Sequence, residues 1–514
     1  MHETRIRELG AEPLAQHLLE RYIVSRAGYL DPERSRRTIA GVKLRLSEGF
    51  ALRKQARNLV ELATLGEQVM RGARQTAVGD PRAIDRSDRV GPRGERTEDC
   101  ENERRAQGIE YPRMSSTEGT VGLAVKPNAA AGIAAGWPWR QGNRFRLLAE
   151  SDRIFRRMLE AIAAARESVL LEMYLVESGT VARRFIDALA GCAQRGVRVH
   201  VLFDGFGSLA LRAADRRRLS DSGAHLTFFN PLSLRKRLQN FLRDHRKLLV
   251  IDGALAFVGG VGLADEFIDG TRGRLAWRDF MLEISGPVVS DWTTAFARNW
   301  SRSSGTPAIA EVAPEPPDEA AIAAGALGRL ALSEAGHRSL LANDVVRRIN
   351  GAQRRAWIMS AYFVPSRRFR KGLRRAARRG VDVRLLVPGP KTDHPWVRHA
   401  ARRFYGKMLR SGVRIFEYQP RVLHGKMTLC DDWVSLGSSN LDRWSFRWNL
   451  EANQEIESAA LAAEAAGIFA ADCEESLQLS RRHWRRRAVL DRVRESIAGV
   501  LDRILDRWRR PRDG

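Results

Sequence analysis

The chain has 514 residues, 44% of them hydrophobic, enough for a sizeable core and about three domains of ordinary size. Its net charge of +26, from 87 Lys and Arg against 61 Asp and Glu, favours an anionic partner, either nucleic acid or an acidic membrane surface. Four scattered cysteines without C-x-x-C spacing exclude a disulfide or zinc framework, and the N-terminus, Met1-His2-Glu3-Thr4-Arg5, lacks the apolar core of a signal peptide. The small-residue stretch from Gly122 to Gly136 is too short to span a bilayer, so a soluble or surface-bound chain is expected.

Residues 1–135 are expected to form an extension of helical and linker character with no chemistry of its own. Helical periodicity is present near Leu14–Val24 and Ala51–Met70, and Gly79–Gly119 is polar and punctuated by Pro and Gly. From there strands and helices alternate. Ser168–Val176 reads as a strand, Val181–Gln194 as a helix and Gly196–Asp204 as a second strand. The order recurs as Trp357–Val364, a helix containing Leu373 and Ala377, and Gly380–Val387. The pairing of Gln194-Arg-Gly-Val-Arg-Val with Arg378-Arg-Gly-Val-Asp-Val makes the repeat explicit. An α/β fold with two repeats follows, over 136–300 and 333–480, separated by a Pro-rich linker at 301–332.

Within the second repeat, Arg367, Arg368, Arg370, Arg374, Arg375, Arg378 and Arg379 read as a solvated basic helix face. The tail, 481–514, reads as an amphipathic basic helix: Leu490, Val493, Ile497, Val500, Leu501, Ile504, Leu505 and Trp508 recur at 3–4 spacing among arginines. Such a helix packs on its own domain or lies at a lipid interface with Trp484 and Trp508 at headgroup level.

Near the end of each repeat stands H-x-K-x4-D, as His245-Arg-Lys247-Leu-Leu-Val-Ile-Asp252 and as His424-Gly-Lys426-Met-Thr-Leu-Cys-Asp431. With ten His and nine Lys in the chain, chance supplies roughly 0.01 such matches. On a strand, His and Lys two residues apart share a face and offer an imidazole and an ammonium to one phosphate. Displacement at a phosphodiester needs a nucleophile on one side and a proton donor for the leaving oxygen on the other, so two units make one site. The lysines would neutralise the non-bridging oxygens without a metal or other cofactor. Each imidazole needs an acceptor on its second nitrogen, and Asp279 and Glu451, downstream of the two motifs, are the candidates.

The doubled motif, with Gly437-Ser-Ser-Asn440 and Asn449-Leu-Glu-Ala-Asn453 downstream, resembles the phospholipase D superfamily over about 142–480. Gly142-Asn143, Leu202-Phe-Asp-Gly-Phe-Gly207, Tyr362-Phe-Val-Pro365 and Ser438-Ser-Asn-Leu-Asp442 are similar to its bacterial cardiolipin synthase branch. The resemblance implies two homologous repeats, each a mainly parallel or mixed β-sheet flanked by helices, meeting as a pseudo-two-fold pair. It implies a phosphohistidine intermediate with no cofactor or metal, His245 as nucleophile and His424 as general acid and then base; the residues alone leave the two roles exchangeable. Ser438 and Asn440 would line the phosphate site, and Gly259 and Gly260 would let backbone approach it. The activity implied is transfer of a phosphatidyl group from phosphatidylglycerol to a second lipid alcohol, by a protein peripheral to the cytoplasmic face of an anionic phospholipid membrane. A phospholipase D that uses water, or a nuclease with nucleic acid as partner, are the alternatives. Two departures stand out: Gly262 replaces the usual Asn in the first repeat, and the second is one residue shorter between Asp431 and Gly437.

Overall fold

A computed structural model describes residues 136–270, 273–306, 322, 325–334, 340–442, 445–487 and 495. The chain divides into two units, Met1–Gly132 and Ile133–Gly514, and all described residues belong to the second. The helices expected before residue 135 and most of the amphipathic tail lie outside the described residues.

The first half runs β1 (Arg140–Leu148), α1 (Ser151–Ala164), β2 (Ser168–Met173), α2 (Thr180–Gln194), β3 (Arg198–Asp204), α3 (Ala213–Asp221), β4 (His225–Phe229), β5 (Arg243–Asp244), β6 (Lys247–Ile251), β7 (Leu255–Gly259), β8 (Met281–Ser285) and α4 (Val288–Ser304). The second half runs β9 (Ala326–Ser333), α5 (Leu340–Gly351), β10 (Arg355–Met359), α6 (Arg367–Arg378), β11 (Asp382–Pro388), α7 (Pro395–Arg402), α8 (Tyr405–Arg410), β12 (Arg414–Tyr418), β13 (Met427–Cys430), β14 (Trp433–Gly437), α9 (Ser445–Trp448), β15 (Asn449–Glu457), α10 (Ala459–Glu474), β16 (Ser476–Leu479) and α11 (Arg481–Arg485). The strands join in the order β16-β12-β11-β10-β13-β14-β15-β9-β1-β8-β7-β6-β2-β3-β4. Read outward from the β9–β1 seam, the two halves carry the same strand order, so the repeat seen in sequence is a pseudo-two-fold in space. Each half is mixed. Along this strand order parallel pairing is confined to β2-β3-β4 and β10-β11-β12, with β5, off the path, parallel to β15, and the motif strands β6 and β13 sit in antiparallel ladders.

β2 is buried along its whole length, as a strand covered on both faces must be. α1 presents Ile154, Phe155, Met158, Ala161 and Ile162 to one outer core. The inner faces of both half-sheets share a core with α4 and α10, where Trp292, Phe296 and Trp300 meet the sheet alongside Ala462, Ala465 and Phe469. The Trp292 indole also donates to Gln454 Oε1 at 2.8 Å across the two-fold. Residues 326–332, read from sequence as linker, belong to the seam strand β9. Its apolar positions are interleaved with Arg329 and small residues, and the upstream prolines masked the alternation. At the same seam Asn143 accepts from Val288 N and donates to Arg140 O and Ala326 O, so the Gly142-Asn143 pair serves the junction between halves.

The Asp of each motif closes the far end of its strand. Asp252 and Asp431 have φ of +51° and +52°, and each begins the turn into the next strand. Asp252 accepts from the backbone N–H groups of Arg166, Glu167 and Ser168 at 2.8–3.0 Å, and Asp431 from those of Gln353, Arg354 and Arg355 at 2.9–3.0 Å. The second turn holds two residues against three in the first, as the shorter spacing implied. Burial alone would raise these carboxyls, but the three N–H donors together outweigh it and hold both below the usual range. Their stabilisation is therefore present above an unfolded value of about 3.9 and lost as pH falls through the lower folded value. Asp252→Asn is expected to cost about 2 kcal/mol in urea unfolding at pH 7. The difference from the parent should shrink as pH drops below about 4.

Candidate active site

Each motif histidine reaches the site on an extended segment that pairs with the opposite half. β5 lies parallel to the start of β15, and His245 N donates to Leu450 O at 3.0 Å. In the mirrored arrangement Arg278 N donates to Val422 O and His424 N to Arg278 O, both at 2.8 Å. Leu450 precedes Glu451 and Arg278 precedes Asp279, so the carboxylates are delivered crosswise. His245 Nδ1 lies 3.0 and 3.1 Å from the Glu451 oxygens, and His424 Nδ1 lies 2.5 Å from Asp279 Oδ2. The sequence named both acceptors, and the structure assigns each to the histidine of the other repeat.

These four side chains, with Lys247 and Lys426, are buried. Lys247 Nζ donates to His245 O at 2.6 Å and lies 5.0 Å from the Tyr174 ring centre. Lys426 donates to His424 O and lies 3.7 Å from Asp279. It also approaches His424 Nδ1 at 2.8 Å, but that nitrogen cannot accept from an ammonium while donating to Asp279. The shorter Asp279 contact places the proton on Nδ1. With Nδ1 on the carboxylates, Nε2 is the unprotonated nitrogen of both neutral imidazoles.

Burial pushes the His245 imidazolium down to about 4, with the Glu451 charge opposing and Lys247 assisting. Burial likewise lowers His424, assisted by Lys426 and opposed by Asp279. It drives the Lys247 ammonium down to about 7, despite Glu451, and lowers Lys426. For Asp279 and Glu451 burial acts upward, but the neighbouring cations and hydrogen bonds hold both low. Burial thus leaves the site's cations short of solvation, which a bound anion would replace.

Several expected positions make contacts with the carboxylates and loops around the two histidines. Ser438 Oγ donates to Glu451 Oε2 at 2.5 Å and accepts from Ala452 N at 3.0 Å, fixing the carboxylate that holds His245. Asn440 Oδ1 accepts from Tyr362 N, tying it to the loop after β10. A Cβ on Gly260 would stand 2.3 Å from Asp279 Oδ1, and one on Gly259 would stand 2.2 Å from Phe280 O. These glycines make room for the Asp279 carboxylate and its strand. A Cβ at Gly262 would come within 2.9 Å of Leu175, so this backbone leaves no space for the usual Asn. Asp252 and Asp431, read as part of the catalytic set, lie at the far ends of β6 and β13, roughly 17 Å along the strand from the lysines and further still from the histidines. They are turn residues.

Other neighbours had been given no role in the site from the sequence. The Tyr174 ring is 4.7 Å from His245, while Trp277, Phe267 and Tyr362 surround His424 at 5.3, 5.7 and 6.3 Å. Tyr362 also donates its hydroxyl to Asp393, which stands on the loop after β11. Behind His245, Asp204 accepts from Phe206 N, Gly207 N and Asp244 N at 2.8–2.9 Å, which explains the Asp-Gly-Phe-Gly run. Asn299 of α4 bridges Glu172 and Asp244 there. Among the described residues, no group of three or more His, Cys, Asp or Glu side chains is arranged to hold a metal ion.

The family described as "Cardiolipin synthase, PLD-like domain" matches residues 158–300 and 345–473, just over half of the chain and both motif halves. Cardiolipin synthase B of Shigella flexneri is 34% identical over 364 residues, 67% of this chain and 86% of the relative. Cardiolipin synthase A of Pseudomonas aeruginosa is 34% identical over 371 residues, 72% of this chain and 74% of that protein. Phosphatidylserine synthase of Haemophilus influenzae, 14% identical, shares the fold with a TM-score of 0.54 over 70% of this chain and 93% of its own. The chain therefore belongs to the cardiolipin synthase family of phospholipase D-like phosphatidyltransferases.

Proposed function

We propose that the protein transfers a phosphatidyl group from phosphatidylglycerol to the hydroxyl of a second phospholipid alcohol through a phosphohistidine on His245. The observation that carries this reading is the crossed pair of carboxylate-bound imidazoles, each with a lysine two residues on. His245 Nε2 attacks phosphorus as the bond to the headgroup glycerol breaks, and His424 gives that oxygen its proton. Glu451 stabilises the imidazolium formed when His245 carries the phosphoryl group. His424, now neutral, takes the proton of the incoming hydroxyl, whose oxygen attacks phosphorus and releases His245. Lys247 and Lys426 stabilise charge on the non-bridging oxygens throughout.

The first half suits the nucleophile. His245 is held neutral, and its acceptor Glu451 is braced by Ser438 and by Asn449 Nδ2 at 3.1 Å. The second half suits the proton carrier. His424 touches Asp279 most closely, and an arriving phosphate anion raises its affinity for a proton. No helix among the described residues is long and apolar enough to cross a membrane, which accords with a peripheral enzyme on an anionic lipid surface.

Purified protein given phosphatidylglycerol vesicles should yield cardiolipin and free glycerol, resolved by lipid chromatography. Phosphatidic acid as the sole lipid product would instead make it a hydrolase. Cleavage of nucleic acid with no lipid turnover would overturn the reading. His245→Ala and His424→Ala should each leave less than about a tenth of wild-type turnover, because each acts in both halves of the transfer. Lys247→Met should cost about 3 kcal/mol of transition-state stabilisation, read as kcat/KM on dispersed substrate.

The pH profile carries the fourth expectation. Lys247 must be charged to meet the phosphate, and in the free enzyme its ammonium is pushed down to about 7. Hence kcat/KM should fall as pH rises above about 7, while kcat, set by the anion-bound enzyme, holds to higher pH. A kcat/KM flat to pH 9 would contradict this account of Lys247.

A further inference from the structure

We propose that the mouth of this site is itself the membrane-docking surface, with Leu209, Phe241, Leu275 and Trp396 entering the headgroup–acyl boundary of an anionic phospholipid bilayer. The inference rests on the phosphatidyl-transfer reading for its substrate but on separate observations for its surface. The four side chains are 43–57% exposed, far more than large apolar residues elsewhere in the cores.

Each stands a few residues from a motif histidine, from a residue that packs on one, or from a neighbour of such a residue. Leu209 lies on the loop after β3, which is seated so closely on Tyr174 that a Cβ on Gly207 would come 2.1 Å from the Tyr174 carbonyl oxygen. Tyr174 in turn packs on His245. Phe241 ends the 3-10 turn Leu234–Phe241, four residues before His245, with its ring 6.0 Å from that of Trp448, three residues before Glu451. Leu275 is two residues before Trp277, which packs on His424. Trp396 is two residues after His394, whose ring lies 5.2 Å from Tyr362. Four separate segments thus each carry an exposed apolar tip close in the chain to residues packed in or around the site. At the opposite end of the motif strands, around Asp252 and Asp431, the exposed side chains are Arg166, Glu167, Gln353, Arg354 and Asp432.

Charge selects the occupant. Exposed Arg212, Arg274 and Lys391 accompany Leu209, Leu275 and Trp396 on their segments. The exposed acid nearest in sequence, Asp269, spends one oxygen on Ala276 N. Apolar tips interleaved with cations match an anionic interface, where hydrocarbon takes the tips and lipid phosphates take the cations. Nucleic acid would satisfy the cations and leave Leu275 in water. The scissile phosphodiester lies at headgroup depth, so a rim seated at this level brings it to the histidines with its acyl chains still in the bilayer.

The test uses the full chain and the double variant Leu275→Asp, Trp396→Asp, with Leu477→Asp, exposed away from the motif segments, as control. Co-sedimentation with vesicles of phosphatidylglycerol and phosphatidylcholine should fall at least about tenfold for the double variant and stay unchanged for the control. Pure phosphatidylcholine vesicles should bind the wild type far less. Turnover of short-chain phosphatidylglycerol below its micellar concentration should remain within about twofold of wild type in the double variant. Equal vesicle binding by wild type and double variant, or no anionic preference, would overturn the surface. So would a double variant that loses self-association in sedimentation velocity while vesicle binding persists, since the rim would then be a contact between copies. Wild type that binds anionic vesicles through this rim yet turns over no lipid would leave the surface standing and reject the activity.

Discussion

The site depends on one exchange: each imidazole leans on a carboxylate carried by the other half of the chain. Glu451 orients His245 and Asp279 orients His424, and the backbone pairs His245 N–Leu450 O and His424 N–Arg278 O bring each partner into place. Neither half alone can hold its histidine in one tautomer. The two half-sheets must therefore associate before any chemistry is possible, and the shared core of α4, α10 and both inner sheet faces makes that association as secure as the interior of a domain. The Trp292–Gln454 bond and the Arg278–Asp472 pair, 3.0 Å apart, stitch the same contact with polar groups.

A duplicated fold would ordinarily place identical environments on its two sides, and here it does not. The His245 side has a long carboxylate braced by a serine, one tyrosine and a buried lattice of Asp204, Asp244, Glu172 and Asn299 behind it. The His424 side has a shorter carboxylate tucked against Gly260 and a wall of Trp277, Phe267 and Tyr362. Ser438 with Glu451 and Gly260 with Asp279 are equivalent positions filled by complementary sizes: the longer acid has a donor to brace it, and the shorter one has space to close on its ring. Such divergence suits a reaction in which one imidazole becomes covalently substituted and the other only carries a proton.

Much of this was legible in the chain before any coordinates. The two H-x-K units declare themselves because a period of two keeps both side chains on one strand face, and the Arg-Gly-Val-x-Val repeats mark equivalent strands in each half. Asp279 and Glu451 were visible as acceptors because buried imidazoles need them. Their crossing was not, since sequence distance says nothing about which side of a two-fold a strand serves. The motif aspartates misled for a related reason: five residues along a strand is roughly 17 Å, which carries Asp252 and Asp431 away from the phosphate and into turns. The aromatic wall of His424 comes from three distant segments, and no spacing rule unites them.

In the proposed mechanism His245 is the nucleophile that carries the phosphatidyl group and His424 the proton carrier. The most direct measurement is mass spectrometry of His424→Ala after incubation with a phosphatidyl donor bearing an activated leaving group, which needs no general acid to depart. The account predicts a phosphatidyl adduct on His245, long-lived because no base remains to activate the acceptor hydroxyl. An adduct on His424 in the His245→Ala protein, with none on His245 in His424→Ala, would contradict it and exchange the two roles.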